Sequence, residues 1–101
     1  MAVKKASILV VEDEESLREA LKLNLELEGY EVTTADNGPL VLKMVKNEYF
    51  DLIVLDIMLP GMDGVTVCET IRMQHNDVPI LFLSARNSSA DKVEGLKKRW
   101  G

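Results

Sequence analysis

Three acids stand directly after runs of apolar residues suited to a dry interior. Glu12 and Asp13 follow Ile8-Leu9-Val10-Val11, and Asp56 closes Leu52-Ile53-Val54-Leu55. Ser84 ends a similar run, Pro79-Ile80-Leu81-Phe82-Leu83. A core strand that ends in a carboxylate has to offset the cost of burying charge. If the strands ending in these acids are neighbours, their carboxylates converge and raise one another's pKa unless a cation neutralises them. Hard oxygen donors with no His or Cys among them favour Mg2+, which keeps several waters and takes one or two protein carboxylates plus phosphate oxygens. An aspartate beside such an ion can act as a nucleophile in phosphoryl transfer and form an acyl phosphate. It then needs the metal and a hydroxyl or cation to receive the transferred oxygens. Asp56 as nucleophile, Glu12 and Asp13 as metal ligands and Ser84 as the hydroxyl fill these roles. Met58 is expected to add its backbone carbonyl, because the loop must curl past the metal and its side chain offers no hard donor.

The elements that must position these residues follow from the pattern. Four β-branched or apolar runs are expected as strands, at Ser7 to Val11, Glu31 to Ala35, Leu52 to Asp56 and Pro79 to Ser84. The first, third and fourth are apolar on both faces, as strands covered by helices on both sides must be. The second alternates, which suits an edge. Residues Ser16 to Glu28 place Leu17, Ala20, Leu21, Asn24 and Leu27 at helical spacing, and the absence of β-branched residues there decides against a strand. Gly29 supplies the stop. Pro39 opens a second helix with Val41, Met44 and Val45 inward, a third runs from Val65 to Gln74, and a fourth from Ala90 to Lys98. Alternating strands and helices predict right-handed crossovers and a mostly parallel, doubly wound sheet with its site at the carboxyl ends of the strands. Each candidate also has a plainer reading: Glu12 and Asp13 could cap the helix that follows, and Ser84 could be a turn residue. Asp56 resists such a reading, because no helix cap is needed before Pro60.

The 101 residues, 47% apolar, suit one small globular domain with a single core. A net charge of -5 argues against direct nucleic-acid binding by this chain. The lone Cys68 lies among Val65, Val67 and Ile71 and reads as a small core residue. The N-terminal apolar run is cut short by Glu12 and Asp13, so neither a signal peptide nor a membrane span is expected, and the chain is placed in the cytoplasm.

Three stretches resemble the receiver domain of bacterial two-component response regulators. "ILVVEDEESLREAL" is similar to its first strand and acidic pair, "DLIVLDIMLPGMDG" to its phosphoacceptor strand and loop, and "VPILFLSAR" to its fourth strand with the switch hydroxyl. The resemblance covers Ala6 to about Lys98 and makes the chain one receiver domain, residues 1–101. It implies a flavodoxin-like parallel sheet and a signalling domain, with at most self-phosphotransfer and autodephosphorylation activity. Asp56 would accept a phosphoryl group from a sensor histidine kinase, Glu12, Asp13, Asp56 and the Met58 carbonyl would surround magnesium, and Ser84 would hydrogen-bond the phosphoryl group. Pro60 and Gly64 look like the family's loop residues.

The family continues past its fourth helix to a fifth strand bearing a lysine and a fifth helix, whereas this chain ends in Lys97-Lys98-Arg99-Trp100-Gly101. The expected strand order is therefore 2-1-3-4, without the fifth strand. One inserted adenine in the lysine codons would produce this ending. Two consequences are expected: impaired phosphorylation, and self-association as a homodimer through the fourth-strand edge or an exchanged fourth helix. The alternative function is a phosphorylation-incompetent interaction or dimerisation module. A phosphohydrolase with an aspartyl nucleophile is disfavoured because Ile57 and Met58 follow Asp56 where that class carries Asp-x-Asp. Flavin binding is disfavoured because acids follow the first strand, not the Ser, Thr and Gly residues that cradle phosphate.

Overall fold

A computed structural model describes residues 4–83. The order is β1 (Ser7–Val11), α1 (Glu15–Leu27), β2 (Glu31–Ala35), α2 (Gly38–Asn47), β3 (Leu52–Asp56), α3 (Gly64–Met73) and β4 (Ile80–Leu83). Ser84 and the expected fourth helix lie outside the described residues. The four strands form one parallel sheet in the order β2-β1-β3-β4, as expected. Residues Val11 and Leu55 are partners in the register, so β1 and β3 end side by side.

The apolar runs form this sheet because helices cover both its faces. On one face Leu9, Val11, Ile53 and Leu55 pack with Val41 and Val45 of α2 and Val67 and Ile71 of α3. On the other, Ile8, Val10, Val54 and Leu83 pack with Leu17 and Leu21 of α1. Fully burying a side chain of this size stabilises the fold by about 1.5–3 kcal/mol, so the strands that bear the acids are its most firmly held part. β2 is the edge strand that its alternation predicts, with only Ala35 fully buried. β4 differs from expectation: Leu81 and Leu83 are buried, whereas Ile80 and Phe82 are only half covered. Met44 and Cys68 are half-buried against the core.

The helix ends set the direction of each return to the sheet. In α1 the inward stripe runs through Leu17 and Leu21 to Leu25, and Leu27, expected on that stripe, is 75% exposed. The reason is the helix stop. Tyr30 N–H donates to the Leu25 carbonyl (3.2 Å) and Gly29 N–H to the Glu26 carbonyl (3.0 Å), with Gly29 at φ 97°. This Schellman arrangement draws Tyr30 and Leu25 onto the core and leaves Leu27 outside. Asn37 and Asp63 cap α2 and α3 by accepting from the amides of Leu40 and Thr66, each at 2.9 Å. Among the described residues no helix is long and apolar enough to cross a membrane.

Candidate metal centre

The register of β1 and β3 delivers Glu12 and Asp56 to the same end of the sheet. Glu12 is anchored where β1 leaves the sheet, its N–H donating to the Ala35 carbonyl of β2 at 3.1 Å. Its carboxylate and that of Asp56 are fully buried, while Asp13 is exposed. One oxygen from each of the three acids can be chosen so that all lie within 4.8 Å of one another. Two buried carboxylates and a third at the rim form an oxygen-only donor set of the kind a hard divalent cation takes. The residues present thus fit a magnesium ion.

Neither Glu12 nor Asp13 is the N-cap residue of α1. The N-cap of α1 is Glu14, whose side chain makes no capping bond. Glu12 Oε2 instead accepts from the Glu14 N–H (2.9 Å), folding the turn before the helix and fixing the direction of its own carboxylate. Asp56 Oδ1 accepts from the Met58 N–H at 3.1 Å, a bond that turns the chain sharply as it leaves β3. The expected role of Met58 concerned its carbonyl, but its amide makes this bond, and its side chain is 54% exposed.

Two more residues complete the frame: Gly64, marked beforehand only as one of the family's loop residues, and Arg18, which the pattern did not single out. Gly64 donates its N–H to the Ile57 carbonyl at 2.9 Å, which pulls the start of α3 against the end of β3. Arg18, one turn into α1, donates from Nη1 to the Glu12 carbonyl (3.0 Å) and the Asp13 carbonyl (3.4 Å). A cation five and six positions after an acidic pair was a signal for it, though an arginine there reads first as a solvated helix residue. Beside the acids runs an open cleft of about 630 Å³ bordered by Asp13, Met58, Pro60, Asp63 and Val65.

The sequence matches the response regulator receiver domain family over residues 8–100. It is similar to the alkaline phosphatase synthesis transcriptional regulatory protein PhoP of Bacillus subtilis, 51% identical over 89% of this chain and 38% of that protein. The chain therefore spans well under half the length of this relative. Among solved structures it is similar to the response regulator TrrA of Thermotoga maritima in complex with Mg2+-BeF, with a TM-score of 0.76 and 44% identity over 81% of this chain and 71% of that one. TrrA in complex with the histidine kinase ThkA gives a TM-score of 0.75 and 43% identity, covering 82% of this chain and 72% of that one. The chain belongs to the response regulator receiver domain family, the signalling module of two-component systems.

Proposed function

We propose that this chain is a phosphoryl-accepting switch, with Asp56 as the acceptor and a phosphohistidine of a sensor histidine kinase as the donor. The observation that carries the reading is the packing of two fully buried carboxylates and one exposed carboxylate within 4.8 Å at the ends of adjacent parallel strands. Burying like charges together is unfavourable in the absence of a cation. Glu12, Asp13 and Asp56 would hold Mg2+, with the Met58 carbonyl as a further ligand. Bound there, the ion would offset charge on the phosphoryl oxygens.

The chain's own residues would do the rest. An Asp56 oxygen attacks phosphorus, the bond from phosphorus to the imidazole nitrogen breaks with its electron pair returning to the ring, and an acyl phosphate forms. The Met58 N–H steadies the attacking carboxylate through Oδ1. Ser84 would hydrogen-bond the transferred group and carry the charge change to the surface around it. A donor would approach the buried Asp56 from the side of the exposed Asp13. Catalysis of its own is limited to phosphotransfer to itself and autodephosphorylation, and the compartment is the cytoplasm. The similarity to TrrA, whose complexes contain a histidine kinase in one case and Mg2+-BeF in the other, supports both donor and ion.

The full burial of Asp56 favours one other reading, an interaction module whose acid cluster is not phosphorylated. In that case pairing of β4 edges between two copies is the expected contact, since β4 has a partner strand on one side only among the described residues. Incubation with magnesium and acetyl phosphate, followed by intact-mass measurement, separates the two readings. A phosphoryl adduct that is absent from Asp56→Asn supports the switch; wild-type protein that binds magnesium, takes no label and sediments as a dimer supports the module.

A further inference from the structure

The carbonyls of Glu12 and Asp13 both accept from one guanidinium nitrogen, Arg18 Nη1, at 3.0 and 3.4 Å. These residues belong to the short turn Glu12–Glu14 between β1 and α1, and both carry carboxylates of the metal cluster. Their constraints differ. Glu12 is fully buried, its amide pairs with Ala35 and its carboxylate with the Glu14 amide. Asp13 is exposed, and its contact with Arg18 is through its carbonyl oxygen. Its carboxylate thus takes its direction from its own main chain, and the Arg18 side chain holds that main chain. Arg18 in turn stands on a rigid turn of α1, its amide bonded to the Glu14 carbonyl at 2.9 Å.

We propose that Arg18 is a positioning residue for the metal centre: by holding the Glu12 and Asp13 carbonyls toward α1 it keeps the exposed Asp13 carboxylate aimed at the ion. The inference rests on the magnesium reading above. It makes a prediction opposite in sign to that of simple charge. Arg18 is a cation close to a cation site, so its removal would tighten magnesium binding if its field were all that mattered. If it sets the turn, its removal loosens the Asp13 ligand and weakens binding, as loss of groups that orient metal ligands does elsewhere by about 10–100-fold.

The experiment is calorimetric titration with magnesium chloride of the wild type, Arg18→Ala, Arg18→Lys and Val45→Ala, with metal-free melting temperatures recorded in parallel. Val45 is a core residue of α2 and serves as a destabilised control that leaves the turn intact. Arg18→Ala is expected to weaken magnesium binding by about 10-fold, Arg18→Lys to recover part of the loss, and Val45→Ala to melt earlier with its affinity intact. Unchanged or tighter binding by Arg18→Ala overturns the proposal alone, as does an equal loss in Val45→Ala. Absence of binding by the wild type overturns the magnesium reading and this inference together.

Discussion

Gly64 lies so close to Asp56 that a Cβ atom at position 64 would overlap the Asp56 carbonyl oxygen and come within 2.9 Å of Ile57 Cα. Both obstacles are backbone, so neither can rotate aside. The contact lets α3 start directly against the end of β3, and any side chain there must push the Asp56 main chain away. Gly64→Ala is expected to cost about 2–3 kcal/mol in chemical denaturation, at the upper end for an added methyl in a packed site. It should also weaken magnesium binding if the displaced Asp56 is the ligand proposed above. A variant with wild-type stability and affinity would refute this account of the glycine.

His75 ends α3 as Gly29 ends α1. Its N–H donates to the Arg72 carbonyl (3.0 Å) and the Asn76 N–H to the Ile71 carbonyl (3.3 Å), but with a φ of 60° on a residue that has a Cβ. The left-handed region costs such a residue about 1–2 kcal/mol, part of which glycine returns through the entropy of the unfolded chain. His75→Gly is therefore expected to stabilise the protein by about 0.5–1 kcal/mol, and Gly29→Ala to destabilise it. Thermal melts of the two variants should move in opposite directions.

The legible parts of the sequence were those in which one residue's environment depends on its near neighbours. Apolar runs of both-face character marked β1 and β3, the alternation of β2 marked an edge, and the position of Glu12, Asp13 and Asp56 just beyond those runs marked the cluster. Pro39 stands in the first turn of α2 and Gly29 stops α1, as read. The less legible features depend on how the chain returns in three dimensions. Arg18 reaches the two carbonyls only because the turn before α1 folds back over the first turn of the helix. His75 gave no stop signal, since a glycine is the usual mark of that backbone geometry. Leu25 displaced Leu27 from the inward stripe because the Schellman bonds, not helical spacing, set the last turn.

Asp51 illustrates the same point at the opposite end of the sheet. Its carboxylate Oδ2 accepts from the Ser7 N–H at 2.6 Å, while its own N–H donates to the Ser7 carbonyl at 2.7 Å. The pair clips the start of β1 to the approach to β3 and so fixes the register that brings Glu12 and Asp56 together. The side-chain bond is exposed, so Asp51→Ala is expected to cost only about 1 kcal/mol. Hydrogen exchange should show the loss locally, with the Ser7 amide losing protection while that of Val54 in the centre of β3 keeps its own. Uniform deprotection of both would contradict a local clip.

Asp56→Asn gives the sharpest test of why two carboxylates are buried together. Asparagine keeps an Oδ1 that can accept the Met58 N–H, so the turn after β3 survives while one of three clustered negative charges is removed. In EDTA the variant is expected to be more stable than the wild type, by about 1 kcal/mol, because like-charge repulsion is relieved. Magnesium should reverse the order. If the cluster holds magnesium as proposed, a concentration 100-fold above the dissociation constant stabilises the wild type by about 2.7 kcal/mol, and the variant, without the Asp56 carboxylate, gains little. Paired thermal melts in EDTA and in magnesium should therefore cross. Curves that keep the same order in both conditions would mean that the buried acids are not arranged for a cation.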